Sequence, residues 1–163
     1  MNLEFRRLNE VERSHFIALH TNPLVRRHMP LSQGNFGDAE CAAWITNKEK
    51  LWEEYGYGPW AFIVDGEFAG WGGLQPENGE VDVGLVLHPD YWGMGKAIYD
   101  EIIRRAFIDM GFESVTVLLP PTRTRVKALL RLGFKVDGEL QIAGERFIRY
   151  RLHRSRANIS LTR

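Results

Sequence analysis

From residue 98 onward the apolar positions return every fourth residue, at Ile98, Ile102, Ala106 and Met110, and Ile103 and Phe107 widen the stripe. That spacing predicts a helix with one buried face. Asp100 with Arg104 and Glu101 with Arg105 stand four apart on its polar face, acid before base, and Gly111 closes it as a C′ residue. Elsewhere a period of two prevails. LEFRRL (3–8), WAFIV (60–64), EFAGWGGL (67–74) and EVDVGLVL (80–87) read as strands, with Asp65-Gly66 as a type I′ hairpin turn and PENG (76–79) as the next turn. SVTVLLP (114–120) is a continuous apolar run, hence a buried strand, and the last two strands, 134–142 and 145–153, pair across Ala143-Gly144. Helices are expected from an N-cap at Asn9 to His20, briefly through NPLVRRH, over 38–55 with Trp44 and Leu51 inward, and over 122–133 with Val126, Leu129 and Leu130 inward.

Strand 80–87, its helix and strand 114–120 form one βαβ unit with a parallel pair, and the remaining pairings look antiparallel. The fold class is therefore α+β: a central twisted, mostly antiparallel sheet with one parallel pair and helices on both faces. Without repeats or linker-like stretches, residues 1–153 make one domain, followed by a basic, solvated tail at 154–163.

Composition narrows the class. A chain of 163 residues with 44% hydrophobic and 26% charged residues can bury a proper core, which sets disorder aside. No apolar run reaches the length of a membrane span and MNLEFRRLNE lacks a signal-peptide core, so a soluble, cytoplasmic protein without membrane contact is expected. The single cysteine, Cys41, reads as a small buried hydrophobe, and the five histidines show no metal-ligand spacing. The net charge is zero but lopsided: residues 114–163 carry 11 basic and 3 acidic residues. A small polyanion fits this better than nucleic acid, because the basic residues are scattered among core positions without a stacking-aromatic motif. A homodimer is left open.

Candidate chemistry gathers in front of the 98–110 helix. Gly93 and Gly95 bracket Met94 where unpaired N–H groups point outward and the helix dipole is positive, a place to hold a phosphate. A tight turn that merely needs glycine is the plain alternative. A dinucleotide-binding turn fails at Ile98, which stands where a third glycine belongs. A P-loop fails at Ala97, where a metal-binding hydroxyl belongs.

LHPDYWGMGKA (87–97) resembles the coenzyme A signature of the GNAT-superfamily N-acetyltransferases. Trp92, Gly95 and Ala97 match its fixed positions as they stand in the branch that acetylates ribosomal-protein N-termini. GYGPWAFIVDGEFAGWGGL, VDVGLVLHPDYWG and LLRLGFKVDGELQIAGERFIRYRL are similar to that branch, in the same order, over nearly the whole chain. The resemblance implies a GNAT fold and an enzyme that moves acetyl from acetyl-CoA to a primary amine by direct attack, without a metal. It implies that backbone N–H groups of Gly93, Met94, Gly95, Lys96, Ala97 and Ile98 bind pyrophosphate. The pantetheine arm would pair with Leu85, Val86 and Leu87, and a backbone N–H near Val86 or Leu87 would face the thioester carbonyl. The basic run from Arg123, Arg125 among it, supplies candidates for the 3′-phosphate, a solvated helix face being the alternative for each arginine.

Strand parity puts Glu80, Asp82, Gly84, Val86 and His88 on one face. Asp82 stands where relatives carry a Glu that deprotonates the amine through water; pairing with a basic neighbour is its alternative role. Glu80 and His88 are weaker candidates for the base. Gly84 reads as a bulge, a close ligand approach or a packing glycine. Thr122 occupies a position that many relatives fill with Asn, where it can still bond the coenzyme. Leu129 occupies the position of a Tyr general acid and cannot donate a proton. For the acceptor, His28, Met29, Phe36 and Trp60 are expected around the site, with Arg26 and Arg27 disfavouring a polycation. A catalytically silent acyl-CoA-binding module is the rival reading.

Overall fold

A computed structural model describes residues 1–29 and 34–159. Seven strands form one sheet: β1 (Leu3–Arg6), β2 (Pro59–Val64), β3 (Glu67–Glu77), β4 (Glu80–Leu87), β5 (Ser114–Leu119), β6 (Lys135–Ile142) and β7 (Glu145–His153). Their order is β1-β2-β3-β4-β5-β7-β6, and β4–β5 is the parallel pair among antiparallel neighbours. Helices α1 (Arg13–Thr21), α2 (Pro23–Arg26) and α3 (Asp38–Tyr55) precede β2, α4 (Gly95–Arg104) joins β4 to β5, and α5 (Lys127–Arg131) joins β5 to β6. This is the mixed architecture expected, with helices on both faces.

The two faces hold separate cores. Ile98, Ile102, Ile103, Ala106 and Phe107 of the α4 region pack on Phe62, Leu74, Val83, Val115 and Tyr150. Phe16 and Leu19 of α1 and Cys41 and Ile45 of α3 pack on Ala61 and Trp71 across the sheet. Alternation along β3 and β4 sorts side chains between the cores, with Val83 and Leu87 on the α4 side and Val86 on the α3 side. Two-residue turns fix the registers. Asp65-Gly66, Asn78-Gly79 and Ala143-Gly144 all have positive φ at both positions, the type I′ geometry that matches strand twist. The second turn is shorter than PENG, because Pro76 and Glu77 stay in β3 opposite Val81 and Glu80.

Local chemistry moves several boundaries. Asn9 does not cap a helix. Glu10 Oε1 accepts from the Arg7 N–H at 2.8 Å and closes a 3₁₀ turn over Leu8–Glu10, so α1 starts at Arg13. Residues 122–126 stay outside α5, and Leu130 is exposed while Val126 and Leu129 pack inward. After Arg104 the helix widens to a π turn over Arg105–Asp109, and the Met110 N–H reaches the Arg105 carbonyl at 2.9 Å before Gly111 ends it. The extra residue swings Asp109 under Arg104, which grips it and Glu101, and Asp100 pairs with Lys96 instead of Arg104. The tail is not frayed through residue 159: Arg154–Arg156 make a 3₁₀ turn, and Ala157 and Ile159 pack against the core. Residues 160–163, the rest of the expected tail, lie outside the described residues. No described helix is long and apolar enough to cross a membrane.

Candidate active site

β4 and β5 part almost as soon as they meet. Their ladder holds one register pair, Asp82↔Thr116, whereas β4 pairs with β3 along its whole length. Beyond that pair, Leu85–Leu87 edge a cleft whose far wall is the chain after β5. A cavity of about 330 Å³ opens there, lined by Val25, His28 and Met29, by Leu85, Val86 and Leu87, and by Trp92 and Arg123. Parallel strands that diverge expose backbone donors and acceptors with no partner in the sheet, a place for an extended amide-bearing ligand to add itself.

At the end of β4 a 3₁₀ turn over Pro89–Met94 leads into α4. His88 starts it, its Nδ1 accepting from the Asp90 N–H at 3.1 Å. Trp92 is tied back to the strand, its indole N–H donating to the Leu87 carbonyl at 2.9 Å. Leu87, whose backbone faces the cleft, therefore has its carbonyl occupied by a side chain of the protein itself. The glycines of this region are not explained by the chain itself. A Cβ built on Gly93 or on Gly84 meets nothing within 4 Å, and one on Gly95 meets only Leu87 Cδ1, at 3.9 Å. None of the three needs a left-handed conformation. The vacant space lies along β4 and over the start of α4, where the Gly95 N–H bonds the Trp92 carbonyl and the helix dipole is positive. A phosphate-bearing ligand that approaches the backbone closely fits such a cradle.

Asp82 sits where the strands divide. It is half-buried, and its Oδ1 accepts from the Thr116 hydroxyl at 2.8 Å. It makes no ion pair among the described residues, so the alternative role of binding a basic neighbour is not the arrangement seen. Desolvation raises its carboxyl from 3.8 to about 7, against the opposing Thr116 hydrogen bond and with help from the negative charge of Glu77. A carboxylate poised near neutrality can take a proton from a substrate ammonium and release it again. Glu80, by contrast, is held by Arg151, which also grips Asp137. Arg146–Glu139 and Arg149–Asp137 pair within the C-terminal segment itself, so of its basic excess only the charge held by Glu80 is, among the described residues, answered from outside it.

The other expected contacts divide. His28 and Met29 line the cavity, and His28 meets Trp92 edge-on at 6.2 Å. Phe36 lies against His20 and Trp44, at 4.3 and 5.9 Å between ring centroids, in the core between α1 and α3. Trp60 is on the opposite face, buried between Phe5 and Trp52 with Arg105 over its ring, and does not reach the cavity. The reason is that both faces of β2 are covered, so its inward side chains belong to two different cores. Thr122 and Arg125 are exposed beyond β5, and it is Arg123 that enters the cavity wall. Val25 is a lining residue that no sequence motif signals, and of the basic run offered for the 3′-phosphate it is Arg123, nearest the end of β5, that lines the cavity.

The model of the acetyltransferase (GNAT) domain matches residues 2–135 of this chain. The chain belongs to the GNAT acetyltransferase family. Its fold agrees with solved GNAT structures at low sequence identity. The acetyltransferase from Agrobacterium tumefaciens str. C58 superposes with a TM-score of 0.71 at 19% identity, covering 93% of this chain and 91% of that one. The aminoglycoside acetyltransferase AAC(6')-Ib, solved in complex with coenzyme A, gives 0.72 at 11% identity, covering 95% and 96%. A variant of the Vibrio cholerae spermidine N-acetyltransferase SpeG gives 0.64 at 13%, covering 94% of each chain. At these identities the likeness is one of fold. In this GNAT chain the open glycines, the parted strands and the near-neutral Asp82 thus occupy one continuous region.

Proposed function

We propose that this GNAT chain is an N-acetyltransferase that moves acetyl from acetyl-CoA to a primary amine, of a small molecule or of a protein N-terminus as in the ribosomal-protein branch it resembles. The observation that carries the reading is the parting of β4 from β5 directly beyond Asp82↔Thr116, with glycines facing open space along the ligand's path. Backbone groups along Leu85, Val86 and Leu87 take the pantetheine arm, and the turn from Gly93 to Ile98 takes the pyrophosphate. Thr122, Arg123 and Arg125 stand toward the nucleotide end. His28 and Met29 approach the acceptor.

The reaction proceeds by direct attack. A substrate ammonium gives one proton to Asp82 through water. The freed amine nitrogen forms the C–N bond at the thioester carbonyl carbon, the C–S bond breaks, and the second nitrogen proton ends on the departing thiolate. Asp82 returns its proton to solvent. Leu129 packs in the core and offers no acid, so the thiolate leaves on its own intrinsic acidity, near 8.5 by analogy with cysteine. Positioning therefore carries more of the catalysis than acid–base groups do. The missing acid is also the observation that favours a silent acyl-CoA-binding module.

A thermal-shift panel with acetyl-CoA, free CoA and NAD tests the coenzyme. At 100 times its dissociation constant a ligand adds about 2.7 kcal/mol and raises Tm by several degrees. A shift with acetyl-CoA and none with NAD is expected. No shift with any CoA species would overturn the enzyme and binding-module readings together. Thiol release with an amine acceptor then separates those two.

A further inference from the structure

The face of the sheet that carries Asp82 also carries a cation without an ionic partner. Lys48, midway along α3, lies over the Trp71 indole with its ammonium 5.4 Å from the ring centroid, and donates to the side-chain oxygen of Gln75. It is half-buried and enters no ion pair among the described residues; burial holds its pKa below the ordinary lysine value, and Glu77 acts on it only at longer range. An ammonium has three donors, and Gln75 takes one. A charge in such a place is costly unless it is answered, and a Leu or Met would cover the indole at lower cost. The neighbouring His20 does not answer it. Its Nε2 accepts from the Trp71 indole N–H at 2.9 Å, which leaves the ring neutral, and burial lowers its pKa to about 4.

Register places this cation beside the reaction. Gln75 stands opposite Asp82, and Gly73 opposite Gly84, in the β3–β4 ladder. Side chains of opposed residues share a face and are neighbours. Lys48, Gln75 and Asp82 therefore form a row across the sheet, and the bare backbone of Gly84 lies one step along the same face of β4 from Asp82. An amine seated over Gly84 has the Asp82 carboxylate along its own strand and the Lys48 ammonium across the ladder beside Gln75, with Glu77 acting on both at longer range. That pattern complements a dipolar molecule.

We propose that Lys48 determines acceptor specificity, selecting a small amine with a carboxylate beside its amino group, chemically an α-amino acid, over neutral amines and polycations. This rests on the acetyl-transfer reading above. The test uses the full chain, acetyl-CoA, and a panel of free L-amino acids, their matching amino-acid amides and spermidine, with thiol release as the readout. Wild-type protein should favour its best amino acid over the matching amide by at least tenfold in kcat/KM, and spermidine should be poorer still. Lys48→Met should bring that ratio below about twofold, mainly through a higher KM for the carboxylate, while acetyl-CoA still raises the variant's Tm and so reports a folded protein. Equal use of amino acid and amide by the wild type, turnover of spermidine alone, no turnover of any amino acid by protein that binds acetyl-CoA, or an unchanged ratio in a folded Lys48→Met would each overturn the proposal and leave the acetyl-transfer reading standing. Absence of any acetyl-CoA shift in the wild type would overturn both.

Discussion

Strand β4 meets β3 over eight residue pairs, from Gly70↔Leu87 to Glu77↔Glu80, and meets β5 over one. Glycine serves both flanks for opposite reasons. In β3 a Cβ on Gly72 would sit 2.2 Å from the Gly84 carbonyl oxygen, with φ at +153°, so the closed flank tolerates no side chain there. Near the open flank a Cβ on Gly93 would touch nothing. One set of glycines lets the protein approach itself, and the other leaves room for something that is not protein. The contrast teaches that a glycine becomes a functional signal when the folded chain gives no reason for it.

Substitutions on the two flanks should therefore separate stability from binding. Gly72→Ala should cost the most, on the order of 4 kcal/mol or more, because backbone must move and the conformation is strained. Urea unfolding measures it, and a loss under about 1 kcal/mol would erase the difference between the flanks. Asp82→Asn, at the fork itself, should lower kcat by about 100-fold or more while acetyl-CoA binding is kept. It should also change stability with a defined sign. Asp82 holds its proton up to about 7 in the folded state, against an ordinary value of 3.8. Between those values the unfolded chain releases a proton that the native protein keeps, so stability falls as pH rises from about 4 to about 7. The Asn variant lacks that loss, and its Tm relative to wild type should be higher at pH 8 than at pH 4.

Gly95→Ala, in the first turn of α4, should leave stability unchanged or raise it by up to about 1 kcal/mol while weakening acetyl-CoA about tenfold. Titration of the coenzyme decides this, and an unaltered Kd would mean that the open space at Gly95 is not on the ligand's path. Thr116→Val is the smallest expected change. It should cost about 1 kcal/mol and move the pH–rate midpoint above about 7, because the hydroxyl that favours the Asp82 carboxylate is gone. A midpoint that moves down would refute this role for Thr116.

The strands, their turns and the parity of Asp82 and Val86 were readable in the sequence, since a period of two and an Asp-Gly pair are local properties. The hidden parts depend on partners distant in sequence. Trp60 could be placed on a strand, but a strand covered on both faces shows no alternation that says which core receives it. Asn9 loses the cap to the carboxylate of Glu10, a competition between neighbours of similar propensity. Asp100 and Arg104 have ideal spacing for each other, yet the π turn brings Asp109 within 3.0 Å of Arg104 and changes the pairing. At the site, the glycine turn was visible as a motif, whereas the isolation of Lys48 emerges only when α3 lies across β3. Arg123 needed the end of β5 to be fixed in space before it could be distinguished from Arg125.

The lone pair between β4 and β5 has a consequence for how the molecule comes apart. β1 to β4 hydrogen-bond in sequence among themselves, and β7 bonds β5 on one side and β6 on the other, so the sheet is two ladders stitched at Asp82↔Thr116. α4 and the core beneath it span the seam. Amide protons in the two ladders are therefore expected to open as separate units, with exchange rates that report two local free energies instead of one. A molecule lying in the seam and bonded to both sides would act as a rivet: its occupancy would merge the two exchange rates into one and turn a pair of weakly joined half-sheets into a single cooperative body.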